Sequence, residues 1–181
     1  MLPDYSTVLK AQKVCEDLRT STARVHGSLG SVEMLLGIMG DCVYHPVNLV
    51  TQSYVPKDIY LRWGEKALWF VDFRISWTAD ALTEYFKAKV TANNWHENGK
   101  FQYRGFRPST CKEGADLSQH RFGRALDCDI EGISASEVRK EIISQYRHPA
   151  FRYITCIEDS VNWLHYDCRN TRQENLLIVK P

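Results

Sequence analysis

The chain carries almost no net charge, with 23 Lys+Arg against 22 Asp+Glu. That balance excludes a nucleic-acid partner held by bulk charge, because such binders present a dense basic surface to the phosphate backbone. No apolar run is long enough to cross a bilayer, so no membrane span is expected. The start, Met1-Leu2-Pro3-Asp4-Tyr5, lacks the basic and apolar stretches of a signal peptide. The expectation is a protein made in the cytoplasm, which would need another route to act outside it. There is no repeat and no low-complexity tract. The six cysteines (Cys15, Cys42, Cys111, Cys128, Cys156, Cys168) contain no C-x-x-C pair. That spacing disfavours both a cysteine-rich zinc knuckle and a disulfide frame, and reduced, mostly buried thiols are expected.

A chain of 181 residues is long enough for one main domain that buries roughly 70% of its unfolded surface. Ser6 can cap a helix to about Arg19, and Val32 to Met39 suits a short apolar helix. Glycines 27, 30, 37 and 40 break every other period before Val55. Ile59 to Phe73 fits either a hairpin or a buried helix, since periodicity alone does not separate them. Thr78 reads as the N-cap of a helix over Ala79 to Lys89. Val90-Thr91-Ala92 reads as a short strand, Asn98-Gly99 as a turn and Phe101 to Phe106 as a further strand. Ser134 and Glu137 form a capping box for a helix carrying Val138, Ile142 and Tyr146, which stops before Pro149. Tyr153 to Glu158 and Trp163 to Cys168 form a β-hairpin. The fold class is α+β, a small antiparallel sheet carrying the site with helices packed on one face.

The chemistry gathers in Ser118-Gln119-His120-Arg121-Phe122-Gly123-Arg124-Ala125-Leu126-Asp127 and Trp163-Leu164-His165-Tyr166-Asp167. His120, Asp127 and His165 make three ligands for one tetrahedral zinc, and three protein ligands leave a fourth corner for water or substrate. Zinc there would make water acidic enough to attack at neutral pH, which points to hydrolysis. Gly123 lets the chain turn tightly between the first two ligands. A two- or four-residue hairpin turn centred on Ser160-Val161 pairs Glu158 with Trp163 and Cys156 with His165. It places Glu158 on the metal face as the proton acceptor. A three-residue loop would bring Asp159 there instead. Asp167 reads either as a surface charge or as a group that orients a ligand histidine. The remaining histidines, His26, His45, His96 and His148, read as structural.

The run S-x-H-x-x-G-x-A-x-D followed by W-L-H-x-D resembles the zinc D-alanyl-D-alanine peptidase family. That family includes carboxypeptidases, dipeptidases and phage endolysins that cut peptidoglycan stem peptides, and the Hedgehog signalling domain shares its fold. Matching motifs cover about Asn93 to Arg169, which divides the chain into residues 1–60, of no assignable role, and a peptidase-like domain over 61–181. The resemblance implies zinc on His120, Asp127 and His165. It also implies that Arg107, in Tyr103-Arg104-Gly105-Phe106-Arg107-Pro108, holds a substrate carboxylate or carbonyl. The chain departs from the family at Asn162, where carboxypeptidase and endolysin members place a catalytic Glu. The Hedgehog-like arrangement puts an acid nearer Glu158 and Asp159. The implied function is a zinc metallopeptidase acting as a monomer on short peptides, with peptidoglycan stem peptides as the expected substrate, and reaching the wall by phage-type release or in a virion. The alternative is a zinc-stabilised binding or structural module without turnover.

Overall fold

Strict alternation along two adjacent strands separates a polar face of the sheet from an apolar one. In a computed structural model of the chain, residues 44–171 and 173–180 are described. The helices expected over 6–19 and 32–39 lie outside the described residues. Strands β1 (Val90–Thr91), β2 (Ala125–Ile130), β3 (Cys156–Glu158), β4 (Leu164–Asp167) and β5 (Leu177–Val179) form one sheet in the order β1-β2-β4-β3-β5. β2 pairs β4 with Leu126 opposite Tyr166, Asp127 opposite His165 and Cys128 opposite Leu164. Successive side chains point to opposite faces, so Leu126, Cys128, Leu164 and Tyr166 share one face, and Asp127 and His165 share the other.

The sheet is mixed rather than antiparallel throughout, because β5 runs parallel to β3. β4 ends beside the start of β3, with Asp167 opposite Cys156. The chain passes that end and lays β5 along the free edge of β3, with Leu177 beside Cys156. A short path around the strand end suffices, so no helical crossover is needed.

Among the described residues three helices accompany the sheet: α1 (Lys57–Trp63), α2 (Phe73–Phe86) and α3 (Ala135–Ser144). α2 and α3 cover the apolar face. The Tyr166 hydroxyl donates to the Ile75 carbonyl of α2 at 2.9 Å, and Val138 of α3 lies with Cys128 and Leu164. Leu126, Leu164, Tyr166, Ile75, Leu82, Ile142 and Phe151 are buried. α3 opens on the expected capping box, in which Ser134 Oγ accepts from the Glu137 amide and Glu137 accepts from the Ser134 amide. It ends at Ser144, so Tyr146 lies past the helix.

Two expected elements differ. α2 starts at Phe73 with Asp72 as its N-cap, accepting from the Arg74 amide at 3.1 Å. Thr78 sits inside the helix and donates its hydroxyl to the Arg74 carbonyl at 2.6 Å. A buried threonine can satisfy itself on the preceding turn, so its capping preference does not mark a helix start. No strand forms over 101–106. Its backbone is satisfied piecemeal instead: the Phe101 carbonyl accepts from the Asn94 amide at 3.0 Å, and the Phe106 amide donates to Tyr54 at 2.7 Å. Ile59 to Phe73 is helical rather than a hairpin, with α1 followed by a tight 3-10 segment over Gly64–Phe70.

The compact unit holding the sheet runs from His45 to Pro181. Tyr54 and Val55 are buried within it. Cys111, Cys128, Cys156 and Cys168 are free and buried. Among the described residues no helix is long and apolar enough to cross a membrane.

Candidate metal centre

His120 rides on a short 3-10 turn, Gln119–Phe122, closed by Gly123 in the left-handed region at φ 66°. A Cβ at Gly123 would stand 1.9 Å from the Phe70 carbonyl oxygen, and the Gly123 carbonyl accepts from the Asp72 amide at 2.9 Å. Only glycine fits, because conformation and close approach both demand it. The turn buries His120, and its Nδ1 donates to the Gly105 carbonyl at 2.8 Å. A carbonyl can only accept, so Nδ1 carries a proton and Nε2 is the nitrogen left to meet a metal. Nε2 lies 3.3 Å from Asp127 Oδ2.

The β2–β4 register brings His165 across from Asp127, and His165 Nδ1 donates to Asp127 Oδ1 at 2.7 Å. One ligand atom from each of His120, Asp127 and His165 lies within 4.8 Å of the others, and all three residues are buried. Ligands of a tetrahedral zinc at its usual bond lengths stand about 3.3 Å apart. The His120–Asp127 spacing already has that value, while His165 and Asp127 are drawn closer by a shared proton. Two imidazoles and a carboxylate that converge in a buried site fit a divalent cation.

Around this cluster a second layer orients His165. Its Nε2 faces the fully buried Asp167 Oδ2 at 3.4 Å. Asp167 in turn accepts from the Arg169 amide at 3.0 Å and from Arg169 Nε at 2.8 Å. Of the two readings of Asp167, the surface charge is therefore excluded. Burial alone would neutralise these groups, but their partners outweigh it. Burial lowers the His165 pKa, yet hydrogen bonds to Asp127 and Asp167 push it up to about 9. Burial likewise raises the Asp127 carboxyl, but the two histidines hold it well below the usual carboxylate range. Asp167 is also lowered, by His165 and Arg169 against burial.

Glu158 arrives by a different register from the one expected. Cys156 opposes Asp167 and Ile157 opposes Tyr166, so continuing the ladder sets Glu158 against His165 rather than Trp163. A shift of two residues preserves the face, and Glu158 Oε1 lies 3.9 Å from His165 Nε2. It stands at the nitrogen directed away from Asp127. Asp159 lies 3.7 Å from Arg139 Nε, and its side chain is half-exposed. Arg107 donates from Nη2 to Asp127 Oδ2 at 3.0 Å and from Nε to the Tyr103 carbonyl at 2.6 Å. Asn162 lines a separate cavity of about 380 Å3 with Cys128, Val138, Arg139 and Leu164.

Gly105 carries no signal in the sequence, yet it anchors His120. A Cβ there would meet the Tyr54 carbonyl oxygen at 2.1 Å. His148 accepts from the Ala150 amide at 3.2 Å, a local structural role. No protein-family model, curated protein or solved structure matches the chain, so the family resemblance rests on the motif residues alone.

Proposed function

We propose that the protein is a zinc metallopeptidase that hydrolyses an amide bond in short peptides, with bacterial peptidoglycan stem peptides as the substrate class. The observation that carries this reading is the convergence of three buried donors, with His120 Nδ1 committed to Gly105 and Nε2 turned toward Asp127. His120 Nε2, Asp127 and His165 Nδ1 would hold a divalent cation, which when bound would supply Lewis acidity toward an amide carbonyl and toward water. Glu158 accepts a proton from the attacking water at its carboxylate and returns it to the leaving nitrogen as the C–N bond breaks. Arg107 presents guanidinium donors beside Asp127 for a substrate carboxylate or carbonyl. Asp167 and Arg169 hold the His165 ring in place through Nε2. Such a peptidase, made in the cytoplasm as a monomer, would reach the wall by phage-type release or in a virion.

A second reading has one specific observation in its favour. Glu158 stands at the far nitrogen of His165, and Asn162 cannot accept a proton as a base. On that reading the protein is a zinc-stabilised binding or structural module. Digestion of purified peptidoglycan with and without chelator, followed by mass analysis, tests the two. Chelator-sensitive release of fragments with new amino termini supports the peptidase. Stoichiometric zinc with intact peptidoglycan supports the module, and failure to bind any divalent ion removes both.

A further inference from the structure

The cavity of about 380 Å3 lies between α3 and the apolar face of the sheet, with Cys128, Ile130, Val138, Val161 and Leu164 on its walls. Cys128 opposes Leu164 in the β2–β4 ladder, one step along from Asp127 and His165. Neighbouring pairs in a ladder point to opposite faces, so the cavity sits across the sheet from the metal cluster. An apolar cavity of about 150 Å3 suffices to hold benzene. The larger volume here has room for an aliphatic chain of about eight carbons.

Arg139 is the charged exception on these apolar walls. Its side chain is only 9% exposed, and a guanidinium carries five N–H donors. Among the described residues it makes one hydrogen bond, from Nη1 to the Trp163 carbonyl at 2.9 Å. Its one ion pair is loose, with Nε 3.7 Å from Asp159 Oδ1, and Asp159 is half-exposed, so water screens it. Nη2 has no partner among the described residues. A charge taken out of water needs close partners, and this one is short of them. The other acids nearby are committed elsewhere. Strand alternation puts Asp129 on the metal face, where its carboxylate meets Arg104 Nη1 at 2.5 Å, and Glu137 accepts from the Ser134 amide at 3.0 Å. Asn162, also on the cavity wall, presents a neutral amide where a carboxylate would repel an anion.

The geometry points to this cavity as a binding site for a small aliphatic monocarboxylate, its chain against Ile130, Val138 and Leu164 and its carboxylate on the Arg139 guanidinium. The carboxylate accepts from the donors that Trp163 and Asp159 leave open, a match of planar fork to planar acceptor. Such a ligand touches none of His120, Asp127 and His165, so the site is independent of the peptidase reading.

The test titrates the full chain, in zinc-containing buffer, with octanoate, octanol and acetate by calorimetry. Octanoate should saturate one site, about tenfold tighter than octanol, which lacks the charge for the guanidinium. Acetate, which lacks the chain, should also bind at least about tenfold more weakly than octanoate. Arg139→Met should bring octanoate down to the affinity of octanol. Should that variant fail to fold, the comparison of ligands on the unmodified chain still decides. Ala135 lines the cavity from the start of α3, and Ala135→Phe should fill it and remove octanoate binding, with circular dichroism and zinc content unchanged. Absence of saturable octanoate binding, or octanol binding as tightly as octanoate, overturns the inference. So does octanoate binding that survives Ala135→Phe, the result expected if the carboxylate sat on zinc instead.

Discussion

Lowering the pH from 8 to 6 should cost the protein about two orders of magnitude in zinc affinity. Without metal, both ring nitrogens of His165 face carboxylates, Nδ1 at Asp127 and Nε2 at Asp167, so the ring holds two protons and its pKa sits at about 9. Zinc must take the lone pair at Nδ1 and therefore displaces that proton, while the other proton stays on Nε2, which donates it to Asp167. A raised pKa means the proton competes at every pH below about 9. Each unit of acidification in that range lowers apparent affinity about tenfold. Asp127 stays ionised across the same range because its carboxyl is held low, so it adds no slope. Competition against a fluorescent chelator between pH 6 and 10 gives the affinity, and calorimetry in buffers of different ionisation enthalpy counts released protons. The expected record is a slope near one that flattens near pH 9, with about one proton released at pH 7. An affinity independent of pH, with no proton released, would refute the argument.

Three substitutions follow from the same geometry. Asp167→Asn should weaken zinc binding about 10- to 100-fold by loosening His165, with circular dichroism unchanged; undiminished affinity would deny the carboxylate its orienting role. Gly123→Ala forces a left-handed alanine whose Cβ meets the Phe70 carbonyl at 1.9 Å, and should cost at least about 2 kcal/mol in a urea titration. Glu158→Ala should abolish peptidoglycan cleavage while zinc content by elemental analysis stays at the parent level, and retained cleavage would exclude Glu158 as the proton acceptor.

The parts of the site legible in the sequence were those governed by residue type and by the two-residue period of a strand. His120, Asp127 and His165 are chemically suited to zinc wherever they meet. Parity along the hairpin put Glu158 on the His165 face even though the pairing itself moved by two residues, because an even shift cannot change the face. Thr78 and the 101–106 segment misled for a common reason. Local propensity reports what a short peptide favours, while the fold satisfied these groups with the Arg74, Asn94 and Tyr54 backbone.

By itself, the sequence determined the donor set, the capping box of α3 and the side of the sheet that each strand residue occupies. Only the tertiary structure decided which nitrogen of each histidine faces inward. That choice depends on the Gly105 carbonyl at 2.8 Å from His120 Nδ1 and on Asp127 and Asp167 flanking the His165 ring. The tautomer of an imidazole is set by the partner of its other nitrogen. Those partners come from segments 15 and 38 residues away for Gly105 and Asp127, beyond the reach of any local pattern.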